Sequence, residues 1–345
     1  MTKVATIDKR KVLGLVMVAA MVIATVMAMI VPRVAMAAEN EGITGSFEIG
    51  NEAPTLTEAA TLYNAAHLAT VTQMTPQTEY AVKVTVADTG TLQDLNTVVV
   101  KVAIDADNDD DYSNLPAANT QTSFVMTCTV GSTPGWAGNP SSSTTWDIVE
   151  ANCVQPTLTA GSGDFWFNFI PGKVATEGLD WDVYVVVTDD SALTDTWYDT
   201  ATGEYDMLWY GEIDVTTVSV GWGSVLAGMD FDNAAAKETV AVTYISNGDW
   251  DASVATAATW STTATLSADD TPASMEFALK AWSSDVLGSA DLVTTTASEC
   301  IIDNTGTLTG ESGSTNSANT LYLKLGTPFV DGTYSGTITF YITNG

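Results

Sequence analysis

Residues 79–111 read EYAVKVTVADTGTLQDLNTVVVKVAIDADNDDD, and the fold follows from this stretch. Tyr80, Val82, Val84 and Val86 alternate with Ala81, Lys83 and Thr85. After a turn, Val98, Val100, Val102 and Ile104 alternate with Thr97, Val99, Lys101 and Ala103. Successive side chains on a strand point to opposite faces, so a period of two over seven or more residues describes a half-buried β-strand. The two runs read as a strand pair, a hairpin with an acidic tail. That tail is Asp105-Ala106-Asp107-Asn108-Asp109-Asp110-Asp111, with no basic residue in it.

The same pattern extends in both directions. Thr44–Ile49, Ser123–Val130, Trp146–Val149, Trp181–Thr188 and Met207–Val220 read as strands, as does the run in which Phe165, Phe167 and Phe169 alternate with Trp166 and Asn168. Ala59–Thr72 alone has helical character, and Pro134–Thr145 is a Gly/Ser/Pro/Asn loop. Further on, Val240, Val242 and Tyr244 oppose Thr239, Ala241 and Thr243. Asn247-Gly248 then gives a hairpin signal, with Trp250–Thr256 as the return strand. Trp260–Leu266, Met275–Trp282, Thr320–Leu325 and Gly336–Thr343 follow, with Gly310–Asn319 as a loop. Short strands punctuated by turn residues predict an all-β protein, with two Ig-like β-sandwich domains in tandem after a signal peptide. The expected domains are residues 38–217, with loop insertions and the acidic loop, and a smaller sandwich at 218–345.

Residues 1–37 read as the signal peptide. Lys3, Lys9, Arg10 and Lys11 precede an apolar run from Val12 to Val31, and Ala35-Met36-Ala37 supplies a small-x-small cleavage site. The competing reading is an uncleaved anchor, since twenty apolar residues can span a bilayer; a membrane partner follows only in that case. Either way the rest of the chain is expected outside the cytoplasm, at the cell surface or beyond it.

The chain holds 11 Lys+Arg and 42 Asp+Glu. The leader takes five of the basic residues and one acid, which leaves six lysines, no arginine and 41 acids. Such a chain repels nucleic acid and anionic membranes, both of which demand Lys or Arg. It suits a surface bathed in salt or divalent cations. Three cysteines remain. Cys128 and Cys153 could close a loop by a disulfide in an oxidising compartment, which leaves Cys300 over.

Asp105, Asp107, Asp109 and Asp111 stand at alternate positions, like the first half of a Ca²⁺ loop in which oxygens at every second residue converge on a hard cation. The EF-hand pattern then fails, with Asp110 at its sixth position and Pro116 at its twelfth. A bound Ca²⁺ would therefore need outside oxygens, from Asn114, Asp88 or a backbone carbonyl. Asp189-Asp190, Asp230/Asp232 and Asp269-Asp270 are weaker candidates. His67, the single histidine, stands in an Ala-Ala-His-Leu-Ala context and reads as structural. Trp166, Trp197, Trp209 and Trp222 are the residues that could stack on sugar rings, with core packing as the plainer role.

Two stretches resemble Ig-like modules of prokaryotic, archaeal-type secreted cell-surface proteins. One is Met74-Thr75-Pro76-Gln77-Thr78-Glu79-Tyr80 leading into V-x-V-x-V-x-D-x-x-x-L-x-D-L. The other is Asp331-Gly332-Thr333-Tyr334-Ser335-Gly336-Thr337-Ile338-Thr339-Phe340. The resemblance covers about a quarter of the chain after the leader. It implies a structural or adhesive component of a surface layer, filament or extracellular matrix, self-associating or bound to other surface proteins. No reaction is expected. A carbohydrate-binding protein is the alternative reading, with polysaccharide as partner, and a glycoside hydrolase using paired carboxylates is a third.

Overall fold

The computed structural model describes residues 51–105, 115–198 and 205–345. Among them the regular structure is β-strand plus four single-turn 3₁₀ helices, so the protein is all-β. Among the described residues no helix is long and apolar enough to cross a membrane.

Two sheets occupy the first half. One orders Thr55–Leu56, Tyr80–Ala87, Ser162–Ile170 and Asp147–Ile148, with Thr61–Asn64 also on Tyr80–Ala87. The other orders Gln73–Met74, Tyr205–Met207, Gly178–Asp189, Leu95–Ile104, Ser123–Thr129 and Gly135–Asn139, with Thr194–Tyr198 also on Gly178–Asp189. The sheets share one core. Leu62, Val82, Val84, Val86, Phe165, Phe167 and Phe169 enter it from the first; Val98, Val100, Val102, Met126, Trp181, Val183, Val185 and Val187 enter from the second. The faces predicted from alternation are the faces that are buried.

The predicted pairing inside the opening stretch is not. Tyr80–Ala87 and Leu95–Ile104 lie in different sheets. The former pairs along its whole length with Ser162–Ile170, and the latter with Gly178–Asp189 and Ser123–Thr129. The connection crosses the core edge through the turn Leu92–Asp94, and Leu92 is itself buried in the core. Two valine faces on consecutive strands can be buried side by side in one sheet or face to face across a core. Period two cannot distinguish these arrangements.

The second half repeats this arrangement. A large sheet orders Gly211–Val215, Lys237–Ser246, Ser314–Leu325, Glu276–Trp282, Ala264–Leu266 and Thr259–Trp260, with Asp291–Leu292 on Glu276–Trp282. A small one orders Ile301–Gly306, Trp250–Thr256 and Ile338–Asn344. Their shared core holds Val240, Val242, Tyr244, Trp250, Val254, Trp260, Phe277, Leu279, Leu321, Leu323 and Phe340. Asn247-Gly248 is again no hairpin, because Lys237–Ser246 and Trp250–Thr256 belong to opposite sheets.

Two further expectations are corrected. The run 207–220 is not one strand. Tyr205–Met207 belongs to the second sheet and Gly211–Val215 to the third, and the chain passes from one to the other at 208–210. Ala59–Thr72 is not helical: Thr61–Asn64 is a strand whose Leu62 is buried, and Tyr63 bridges to Thr70. Packing overrides weak helix propensity there. Asn51–Gly345 forms one compact unit.

Phe167 is fully buried between the first two sheets. Phe167→Ala is expected to cost about 3–5 kcal/mol, read as a lowered midpoint in urea unfolding.

Candidate functional site

Asp105 is 3% exposed, and the Tyr184 hydroxyl donates to its Oδ2 at 2.6 Å. It lies at the end of Leu95–Ile104, on the outer face that also carries Lys101, Asp182 and Tyr184, all buried. Burial lowers the Lys101 ammonium below the usual lysine value. Asp107, Asp109, Asp111 and Asn114 lie outside the described residues. Asp88 does not share a site with Asp105. Its backbone N–H bonds Gly161 O at the opposite end of the sheets, where Asp190 N bonds Asp94 O. A ten-residue strand, about 30 Å long, separates the two ends. Among the described residues no cluster of three or more His, Cys, Asp or Glu could hold a metal.

All three cysteines are free thiols, so the expected Cys128–Cys153 bond is not formed in this structure. Cys128 points into the first core. Cys153 belongs to a polar cluster on the outside of the first sheet. There His67 stacks on Trp166 at 4.1 Å and 9°, and its Nε2 is 2.8 Å from Asn168 Oδ1. The Asn168 amide donates to Glu79 Oε1 at 2.9 Å, and its backbone N–H donates to Cys153 Sγ at 3.2 Å. The set has the residue types of a thiol–imidazole–amide centre, but not its electrostatics. Burial pushes the Cys153 thiol up to about 11, and Glu150 and Glu79 add to the rise. The thiolate is the nucleophile; here the sulfur, as a neutral thiol, accepts from Asn168 N and donates to Asn168 O at 3.7 Å. His67 is held in the left-handed region at φ 61° by the turn from Asn64.

The four tryptophans do not converge. Trp166 lies on the first sheet and Trp197 on the second, against the core. Trp209 stands where the halves meet, donating to Asp249 O at 3.0 Å, and Trp222 packs on the second core, donating to Ala236 O at 2.8 Å.

The densest polar constellation joins the two halves, and sequence reasoning passed over it. Asn247 is fully buried. Its amide donates to Ala175 O at 2.8 Å and Leu208 O at 2.9 Å, and its Oδ1 accepts from Tyr210 N at 2.6 Å. Its backbone carbonyl accepts from Glu177 N at 2.9 Å. A side chain at Gly248 would meet Glu177 Oε2 at 2.4 Å, so the Glu177 carboxylate would have to swing aside. Glu311 reaches into the 143–145 loop. It accepts from Ser143 Oγ at 2.5 Å, Thr145 Oγ1 at 2.6 Å, Thr144 N at 2.9 Å and Thr144 Oγ1 at 3.1 Å. Lys173 pairs with Glu212 at 2.6 Å, Gln121 donates to Thr309 O at 3.1 Å, and Asn344 donates to Glu177 at 3.2 Å. The Asn-Gly pair was legible as a turn. Its side-chain partners lie 37 to 72 residues away and left no local signal.

A cavity of about 870 Å³ opens in the second half between two irregular segments, 215–227 and 329–337. Trp222, Trp260, Phe277, Leu323, Phe329 and Phe340 line its apolar interior.

No family model matches this chain, and no curated protein matches it. Among solved structures it is similar to the secreted serine protease VesC from Vibrio cholerae, at 12% identity and a TM-score of 0.19, over 78% of this chain and 49% of that one. It is also similar to dimeric latent PorU from Porphyromonas gingivalis, at 10% identity and a TM-score of 0.13, over 84% of this chain and 34% of that one. The chain spans about half and about a third of those two lengths, and TM-scores this low carry no argument about fold or activity.

Asn247→Ala leaves the buried Ala175 carbonyl and the partly buried Leu208 carbonyl and Tyr210 N–H without their partner, at about 1–3 kcal/mol for the first and less for each of the others. The expected result is a loss of about 2–3 kcal/mol by urea denaturation, with calorimetry resolving two unfolding transitions where the parent shows one. The junction is also acid-sensitive. Burial pushes the Glu311 carboxyl up, but hydrogen bonds from Ser143, Thr145 and Thr144 outweigh it and hold the group below its ordinary value. The Lys173 hydrogen bond does the same for Glu212 against burial. A carboxyl depressed on folding stabilises above its unfolded pKa and loses that contribution as pH falls through the folded one. Melting temperature is therefore expected to fall below about pH 4.5, and Glu311→Gln to flatten that fall.

Proposed function

We propose that this chain is a secreted, non-catalytic structural protein of the cell surface, a subunit of a layer, filament or matrix. In this reading its two cores are tandem Ig-like sandwiches of the archaeal-type surface class that the 74–95 and 331–340 stretches resemble. The observation that carries it is the junction. Two separate cores, together with the 208–210 crossover that joins them, are tied by at least nine hydrogen bonds and an ion pair rather than by a free linker. Domain linkers are ordinarily exposed and mobile. A fixed angle between two β bodies serves transmission of load or lattice geometry, and a soluble binding module has no need of it.

Charge supports the same reading. Lys83, Lys173, Lys237, Lys280 and Lys324 are each engaged by a carboxylate, and Lys101 is buried. What remains for the surface is carboxylate. Such a surface repels its own copies until cations intervene, so Ca²⁺ is the proposed partner, held through the Asp105–Asp111 loop with oxygens from beyond it. The carbohydrate-binding alternative requires an aromatic platform, and the four candidate tryptophans are dispersed over both halves.

Ca²⁺ is expected to raise the melting temperature by several degrees and to drive assembly visible by electron microscopy, with chelator reversing both. Asp107→Asn combined with Asp109→Asn should remove the thermal shift. An unchanged melting temperature in parent and variant alike would rule out the metal, and particles that stay monomeric under every cation condition would rule out the structural role.

A further inference from the structure

The cavity of the second half plays no part in the junction. At about 870 Å³ it falls within the roughly 300–1,000 Å³ of small-molecule sites, and it is about six times the roughly 150 Å³ void that accommodates one benzene. Its floor is core: Val240, Phe277, Leu321 and Leu323 come from three strands of the large sheet. Its sides are the irregular segments 215–227 and 329–337. The two sides are held differently. Residues 218–225 make no backbone hydrogen bond among the described residues. Packing of Val220, Trp222 and Val225 on the core and one side-chain bond, Trp222 Nε1 to Ala236 O, hold that segment. The opposite side is fixed to its neighbour: Ser261 N bonds Ser335 O, Ser335 N bonds Ser261 Oγ, and Ala257 N bonds Thr337 O. A segment with few bonds and few buried contacts opens at low cost, so 218–225 is the side that yields.

The wall chemistry selects the occupant. The polar tips of its aromatic residues are already used: Trp222 Nε1 donates to Ala236 O at 2.8 Å, Trp260 Nε1 to Thr256 Oγ1 at 3.1 Å, and the Tyr334 hydroxyl to Val330 O at 2.8 Å. These rings therefore contribute apolar surface and no spare N–H or O–H. Asp331, exposed at the mouth, is the one charged side chain on the wall among the described residues, and no lysine lines it. A fatty-acid carboxylate or a phosphate head would meet a carboxylate and no counter-charge. A second copy of this chain would bring its own acid excess to an acidic mouth. A neutral hydrocarbon meets neither penalty, and burial of apolar surface drives it in. Val218 and Val330, one from each side, are 95% and 65% exposed, and a ligand beneath them gives both side chains an apolar surface to cover.

We propose that this cavity binds one neutral, hydrocarbon-rich small molecule of the long-chain or isoprenoid alcohol class. Residues 218–225 are the flap that admits it, and Val218 and Val330 close over it. The site is independent of the surface-assembly reading above: it needs neither Ca²⁺ nor a second copy.

The test titrates N-phenylnaphthylamine, a neutral fluorophore, into the purified chain and reads its emission, with dodecanol and dodecanoate as competitors. Saturable binding is expected, displaced by dodecanol and at least tenfold less well by dodecanoate. Val218→Asp with Val330→Asp is expected to weaken it at least tenfold while circular dichroism and the urea midpoint stay at the parent's values, since both side chains are exposed. Asp331→Lys is expected to narrow the gap between the two competitors without changing the affinity for dodecanol. No saturable binding, or binding that the double substitution leaves unchanged, overturns the site. Dodecanoate competing as well as dodecanol in the parent overturns the neutral class. Binding seen only in a sedimenting dimer or polymer assigns the cavity to a second copy and overturns the small-molecule occupant. The surface-assembly reading survives each of these failures, because its own readouts are the Ca²⁺-dependent melting temperature and polymer.

Discussion

The rest of the structure depends on one side chain, the buried amide of Asn247. An amide removed from water must recover its hydrogen bonds or forfeit a kilocalorie or more for each group left unmade. Asn247 recovers them from three places: Ala175 at the base of the first half, and Leu208 and Tyr210 in the crossover between halves. None of these partners can move without orphaning a buried group. The angle between the two cores is thereby set by satisfaction of polar atoms. Apolar contact slides; a set of directional bonds to one planar amide does not. Glu311 and the Lys173–Glu212 pair act around this centre at more exposed positions, where each adds less but resists rotation.

How much of this was legible depended on the range of the signal. Period two is local, and it placed Val82, Val84 and Val86, Phe165, Phe167 and Phe169, and Val240, Val242 and Tyr244 on the correct faces. Pairing is not local. Asp88–Asp94 and Asn247–Gly248 both have turn chemistry, and both join opposite sheets instead of adjacent strands. A turn residue states that the chain reverses; it does not state whether the reversal lies in the plane of a sheet or across its core. Leu92 carried the only hint, since an apolar residue in a polar turn implies that the turn passes over something apolar. The junction was illegible for the same reason, because no spacing rule links Glu311 to Ser143.

Charge was legible in amount but not in arrangement. The composition gave a large acid excess, and the structure shows where the few cations stand. Phe231 illustrates the economy: Lys280 lies 5.1 Å and Lys324 5.5 Å from its ring centre, while Asp270 and Asp230 hold the two ammonium groups. Two like charges share one aromatic ring because each already has its own counter-ion. The lysines therefore brace the protein's own surface, and a polyanionic partner would find no free basic patch among the described residues.

The asymmetry between the sheets carries the argument furthest. In the first half, five strands face seven, and the core between them is closed by aromatic residues from both sides. In the second, three strands face seven, with Ile301–Gly306 and Ile338–Asn344 as the two edges and Gly211–Val215 of the larger sheet lying close to the latter. A side chain at Gly336 would meet Trp260 at 2.0 Å, so the bare backbone lets the irregular rim lie directly on the indole. The indole packs in turn at 6.0 Å from Trp222. The two indoles are thus in contact and form one aromatic wall of the cavity. A core that maintains an open cavity exposes apolar surface to water at a continuing cost in free energy.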